Sequence, residues 1–235
     1  MEIKRILLKL SGESLMGQDG YGINYGAVKH YASEIASAVK KKVQVGVVIG
    51  GGNIFRGVNG ASKGFDRTQG DYMGMLATVI NAMALQGVLE EMQVKAKLMT
   101  SLAIEGLGEK SYYKNAIRYL EEEYVVIFGG GTGSPFFTTD SGAALRAIEI
   151  KADLLLKGTR VDGVYSADPE KDPSAIKYTS ITYDEAYAKN LKILDLTAFT
   201  LCKDNQMDLY VYDANVEGNL LRVLNGEPIG TLCRN

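Results

Sequence analysis

VVIFGGGTGSPFFTTDSGAALRA, residues 125–147, joins a buried strand, a glycine loop and a helix start in one run. An apolar β-branched run enters three glycines, and a polar TTDS cluster then opens a helical segment. That order sets bare backbone amides and a helix N-terminus side by side at the end of a buried strand, an arrangement suited to phosphate. The pattern recurs in weaker form in VQVGVVIGGGN, residues 43–53, and in RILLKLSGES, residues 5–14, where the strand ends in Lys9, Ser11 and Gly12. Three such loops imply a ligand with several phosphates.

The same alternation of short apolar runs with longer helical ones extends along the chain. It predicts strands near 4–10, 43–49, 94–99, 125–129, 153–157, 208–212 and 229–232, and helices near 24–41, 71–92, 111–122, 139–151, 196–205 and 215–225. Such βαβ units make an α/β fold, three layers αβα around a largely parallel central sheet covered on both faces. Ligands of such sheets lie beyond the carboxyl ends of the strands, where all three glycine loops can converge. No linker-like stretch divides the 235 residues, and 46% hydrophobic content suits one folded domain over 1–235.

Charge and composition narrow the function classes. Twenty-eight acidic against 26 basic residues leave a net charge of -2, so no broad field attracts nucleic acid or an anionic membrane, and phosphate binding must be local. Cys202 and Cys233 are too few for a disulfide framework and wrongly spaced for zinc, which points to a reducing cytoplasm and structural thiols. Lys4, Arg5 and Lys9 interrupt the N-terminus, and no apolar run is expected to approach the roughly 18 residues that span a bilayer. The helix at 71–92 is apolar around most of its circumference, so it lies inside a large core or between subunits. Val58 to Gly70, rich in glycine and cationic, reads as a mobile loop near the ligand edge.

Common nucleotide motifs are missing. There is no GK dipeptide and hence no Walker A loop, and neither glycine cluster completes GxGxxG before a helix. His30, the sole histidine, excludes HExxH, an HRD loop and a Ser-His-Asp triad, and reads as a helix-surface residue.

KLSGES (9–14), GGGNIFRG (50–57), GDYMGMLAT (70–78), GGGTGSPFFTTDSGAALRA (129–147), KGTRVDGVYSADP (157–169) and LDLTAFTLCKDN (194–205) together resemble the bacterial uridylate kinases of the amino acid kinase family. The resemblance runs in consistent order from Lys9 to the C-terminus. KGTxVDGVYxxDP is shared with aspartokinase-like and acetylglutamate-kinase-like relatives, whereas GTGSPFFTTD is close to private to the uridylate kinases. The resemblance implies ATP-dependent phosphorylation of UMP to UDP in pyrimidine nucleotide biosynthesis. It also implies Mg2+ held mainly by the nucleotide phosphates, a cytoplasmic homohexamer, UTP inhibition and GTP activation. Two alternatives stay open: a family member that phosphorylates a carboxylate or carbamate, and a non-catalytic nucleotide-binding or storage protein of the same fold.

The residue roles follow from the same resemblance. Lys9 matches the catalytic lysine, with an exposed edge-strand lysine as its bland alternative; Leu10, Ser11, Gly12 and Gly52 follow it on the ATP side. Arg56 matches the second phosphate loop, on the donor or the acceptor phosphate, where a guanidinium can hold oxygens in a fork. Gly51 and Asp71 match UMP contacts, the carboxylate taking the ribose hydroxyls or simply capping the long helix. Thr132, Gly133, Ser134, Pro135, Phe136, Phe137, Thr138 and Thr139 match the UMP loop, with the phenylalanines read as core, for at least one of them, or as a wall for the base. Thr159, Tyr165 and Asp168 match the adenine nucleotide site. Asp195 matches a second catalytic position, orienting Lys9 or the metal, or else is a helix N-cap; Asp140 is a candidate for organising metal or water. UMP thus falls to about 1–150 and ATP to about 151–235. Gly17 to Gly22 fall where the family has a stretch linked to GTP response, but Asp71 to Met92 carry no Lys, Arg or His where relatives place cationic effector contacts.

Overall fold

The computed structural model describes residues 3–55 and 64–235. A nine-stranded sheet runs through the molecule. Its strands are Arg5–Leu10 (β1), Gln44–Ile49 (β2), Ala96–Thr100 (β3), Glu109–Lys110 (β4), Val125–Gly129 (β5), Leu154–Thr159 (β6), Ser180–Thr182 (β9), Leu209–Asp213 (β10) and Thr231–Arg234 (β11). They lie in the order β4-β3-β5-β2-β1-β6-β10-β11-β9, parallel throughout except where β10 meets β11. A two-stranded antiparallel ribbon, Val164–Tyr165 (β7) with Lys177–Tyr178 (β8), stands apart from it.

The central strands are apolar on both faces because helices cover both. Period-two alternation sends Ile6, Leu8 and Leu10 of β1 to one side, where Tyr25–Lys40 (α1), Arg67–Glu91 (α2) and Asn219–Leu224 (α7) pack. Leu7 faces the other side, covered by Tyr113–Glu121 (α3), Thr139–Glu149 (α4), Tyr183–Ala188 (α5) and Leu196–Asp204 (α6). Lys9 shares Leu7's parity, and Lys157 shares that of Leu155, so both lysines project towards the layer that holds α4.

The long elements fall where sequence pattern puts them, and the short ones, β4, β7, β8, β9, α5 and a 3-10 turn at Gly12–Leu15, are too brief to show a period. Helix α7 begins at Asn219 rather than 215, because Gly218 before it is left-handed (φ 81°). Helix α2 begins at Arg67, where the Asp66 carboxylate accepts from the amide of Gln69 (3.0 Å). Residues 67–70 are therefore helical rather than part of a loop; 56–63, with Arg56, lie outside the described residues. By length and composition α2 could cross a membrane, contrary to the expectation from the sequence, yet half of its apolar window is packed inside the fold. Its outer face carries Tyr72, Leu76, Ile80 and Met83, each 40–48% exposed and spaced as one stripe.

His30 is half-buried rather than on the free surface, with Nε2 3.0 Å from the carbonyl of Ala214, and so ties α1 to the end of β10. Both cysteines are free and buried, and burial pushes each thiol up to about 12, which fits structural roles.

Candidate functional site

The carboxyl ends of β1, β2 and β5 open into a cleft of about 570 Å³. Backbone is exposed to it at six glycines, Gly12, Gly50, Gly51, Gly52, Gly74 and Gly131. Some of these positions leave no room for a side chain. A Cβ on Gly12 would stand 2.4 Å from the carbonyl oxygen of Gly50, and one on Gly51 would stand 2.8 Å from that of Gly74. Gly130, Gly131 and Gly133 have positive φ, so the third loop doubles back before α4 starts.

At the floor of this cleft sits a charged centre. Lys9 and Lys157 are in-register partners on the adjacent parallel strands β1 and β6, so their side chains leave the same face of the sheet. Asp140, in the first turn of α4, bridges them: Oδ1 lies 2.7 Å from Lys9 Nζ and Oδ2 lies 2.8 Å from Lys157 Nζ. The three side chains are 13%, 17% and 14% exposed for Lys9, Lys157 and Asp140, so solvent screens them little. Burial raises the Asp140 carboxyl, but the Lys9 and Lys157 ammoniums overcome that and hold it below the ordinary carboxylate range. Burial, with the Lys9 charge, draws Lys157 below the ordinary lysine value against the pull of Asp140. Two ammoniums gathered at one point are suited to the anionic oxygens of a phosphoryl group in transfer.

Asp195 closes one side. Its carboxylate accepts from the amide of Ala198 (2.9 Å), capping α6, and from Ser141 Oγ (3.0 Å) and Thr138 Oγ1. Thr138 in turn caps α4, accepting from the amides of Asp140 and Ser141. Two helix N-termini thus meet at one carboxylate, and their dipoles favour negative charge there. The capping and the site roles of Asp195 are compatible, since the carboxylate that caps α6 is also the one tied to α4.

A second cleft, of about 540 Å³, opens beyond the end of β6 between the β7–β8 ribbon and residues 189–193. Lys157, Thr159, Tyr165 and Asp168 line it. Tyr165 donates to Asp162 (2.6 Å), and Thr159 donates to the carbonyl of Val161 (2.5 Å). Lys157 is at this cleft and Lys9 is at the first, so Asp140 joins the two.

The structure gathers most residues expected from the sequence, with several corrections. Lys9, Ser11, Gly12, Gly51, Gly52, Asp71, Thr132, Ser134, Phe137, Thr138 and Thr139 all line the first cleft, so part of the group assigned to ATP shares it with the UMP group. Lys9 lies on a central strand, which removes the edge-strand reading. Asp71 is inside α2 and is not its N-cap; its carboxylate accepts from Arg67 Nε (2.9 Å) and from the amide of Phe136 (2.8 Å). Phe136 and Phe137 are 67% and 50% exposed, so neither is core; the Arg67 guanidinium carbon lies 5.7 Å from the Phe136 ring centroid. Leu10 is buried away from the cleft, Gly133 shapes the turn, and Pro135 is half-buried within the loop. Lys157 escaped the sequence reading although it opens the KGT motif; its register with Lys9 is a property of the sheet, not of the local sequence.

At the centre Asp140 lies between two lysines and Asp195 accepts from two hydroxyls and an amide, while Asp140 Oδ1, ion-paired with Lys9, is buried without a hydrogen bond. Among the described residues no cluster of three or more His, Cys, Asp or Glu side chains could form a cage.

Fold and site together define a phosphate-transferring α/β protein. The amino acid kinase family model matches residues 4–213, and the chain belongs to that family. The chain is 59% identical over 232 residues to the uridylate kinase of Porphyromonas gingivalis, covering 99% of this chain and 97% of that protein. It is 57% identical to the uridylate kinase of Parabacteroides distasonis, covering 100% and 99%. The UMP kinase from Bacillus anthracis superposes with a TM-score of 0.96 at 38% identity, covering 100% of this chain and 97% of that one.

Proposed function

We propose that this protein transfers the terminal phosphoryl group of ATP to UMP, giving ADP and UDP. It is an enzyme, a nucleoside monophosphate kinase of the transferase class, and full-length likeness to uridylate kinases favours UMP over a carboxylate or carbamate acceptor. The observation that carries the reading is the Lys9–Asp140–Lys157 centre between two clefts, each of a size that suits a small-molecule ligand.

In this reading UMP occupies the first cleft, with Asp71 and residues 132–139 around ribose and base. ATP places its adenosine in the second cleft by Thr159, Tyr165 and Asp168, and its phosphates reach towards Lys9, Ser11, Gly12 and Gly52. Arg56, four positions after Gly52 in the sequence, is assigned to the phosphates, whose oxygens a guanidinium can hold in a fork. A Mg2+ ion would be held mainly by the nucleotide phosphates, with Asp140 beside it, and would supply charge neutralisation on the group in transfer. Lys9 and Lys157 neutralise charge on the moving group; Asp140 holds both in place, and Asp195 fixes the two helix N-termini beside them. No general base is required. The acceptor is a phosphate monoester with a second pKa of about 6, mostly dianionic at neutral pH, and the single histidine is engaged at Ala214.

The exposed stripe Tyr72, Leu76, Ile80 and Met83 on α2 suits a subunit contact within a cytoplasmic homohexamer, in which UTP inhibition and GTP activation belong to the same reading. A coupled assay of ADP release with UMP, CMP, dCMP and acetylglutamate tests the function. UMP should be used far better than the rest, because a site that pairs a uracil edge leaves buried groups unpaired against cytosine. Equal use of UMP and CMP would remove residues 132–139 from base recognition.

A further inference from the structure

Helix α2 holds two of the three glycine loops from inside the protein. Asn81, fully buried, donates from Nδ2 to the carbonyl of Gly50 (2.7 Å) and to Oδ1 of Asn53 (2.7 Å). Asn53, 1% exposed, donates back to Oδ1 of Asn81 (2.9 Å) and to the carbonyl of Gly22 (2.8 Å). Three residues before Asn81, on the same face of α2, Thr78 Oγ1 accepts from the amide of Gly130 (2.8 Å) and donates to the carbonyl of Met75 (2.6 Å). The first loop is locked against the same group: a Cβ on Gly12 would stand 2.6 Å from Asn53 Oδ1. Loops from β1, β2 and β5 therefore meet on three buried polar side chains, of which only Thr78 also lines the cleft.

Packing alone does not call for this. Apolar residues at 53 and 81 could fill a buried site without a polar network, whose groups are costly to leave unpaired. What the amides add is direction: they fix which way the Gly50 carbonyl points, and Thr78 does the same for the Gly130 amide. We infer that Asn81, Asn53 and Thr78 are positioning residues of the transfer reaction, through which α2 sets the orientation of the glycine loops that face the phosphates and the acceptor. The inference rests on the assignment of the first cleft to the acceptor and deepens it. Asn81 acts on the loop nearest the transferred group, and so on turnover, whereas Thr78 acts on the acceptor loop, and so on UMP affinity.

Steady-state kinetics of Asn81→Ala, Asn53→Ala, their double variant, Thr78→Val and Thr78→Ser test this, each with a circular dichroism spectrum and a thermal midpoint. Asn81→Ala should lower kcat about 30-fold or more, with KM for either nucleotide changed less than about threefold, the pattern of an interaction realised in the transition state. The double variant should fall no more than about threefold below Asn81→Ala, because the two amides share their bonds. Thr78→Val, which keeps the shape and loses the hydroxyl, should raise KM for UMP about tenfold and that for ATP less than about twofold, and Thr78→Ser should stay within about twofold of wild type. A folded Asn81→Ala protein with wild-type kcat and only a lower thermal midpoint overturns the inference, as do Thr78→Val and Thr78→Ser proteins that behave alike. Should Asn81→Ala not fold, the Thr78 pair decides by the same criteria. If the wild type prefers another acceptor, the series is run with that acceptor, so that failure of the substrate reading and failure of the positioning role are separate results.

Discussion

The two clefts are nearly equal in size and are built by opposite means. Six glycines line the first, and its loops are anchored from behind by buried side chains on α2. The second is lined by Lys157 on β6 and by Lys171, Lys189 and Lys192 outside the sheet. Its local ties lie near the surface, as with Lys171 and Asp168, 3.4 Å apart with side chains 83% and 47% exposed. Exposed pairs of that kind contribute about 0–1 kcal/mol, whereas removing one partner of a buried pair costs about 3–5 kcal/mol. The first cleft is thus held by the fold, and the second, Lys157 apart, by exposed charge. Substitutions should therefore be severe where the clefts meet, selective in the first, and mild in the second.

The largest effect is expected at the junction. Lys9→Ala should lower turnover by about a hundredfold or more, about 2.7 kcal/mol of barrier, while the protein stays folded. Near-normal turnover would show that Lys157 alone serves the phosphoryl group. Next comes the first cleft, where Asp71→Asn should raise KM for UMP about tenfold and leave that for ATP within about twofold. A selective loss of ATP affinity instead would exchange the two clefts.

A third test reads stability against pH. The folded-state carboxyl of Asp140 lies below its unfolded value of about 3.9, so it contributes stability that is present above that value and is lost as pH falls through the folded one. Thermal midpoints of Asp140→Asn should accordingly show a flatter acid limb than wild type, and parallel limbs would mean that the centre does not hold that charge. The smallest effect belongs to the second cleft: Tyr165→Ala should raise KM for ATP only about threefold, with UMP kinetics unchanged. A loss there as deep as at Asp71 would break the contrast between a rigid and an adaptable site.

The legible and the hidden parts of the site divide along a physical line. Strand β5, its glycines and α4 follow from VVIFGGG and TTDSGAALRA, because apolar runs, positive-φ glycines and a hydroxyl cap are local properties. Lys9, Asp140 and Asp195 stand out through motifs that resemble the amino acid kinase family, since a lysine at a strand end or an aspartate at a helix start also has a purely structural reading. Phe136 and Phe137 look like core by composition, yet the left-handed backbone at Phe136 (φ 71°) belongs to a turn that leaves both rings exposed. Asp71 looks like a helix cap until Asp66 takes that place one turn earlier.

The α/β class and the three glycine loops are legible in the sequence because each rests on chemistry within a few neighbours, and the family and most residues around the first cleft because whole motifs resemble those of known kinases. Only the tertiary structure decided that Lys157 stands in register with Lys9 across β1 and β6, that Asp140 joins them, and that Asn81 and Thr78 of α2 hold loops from two other strands. Those facts depend on strand order and on which helix covers which face of the sheet. They are contacts between residues tens to more than a hundred positions apart, and no local pattern carries them.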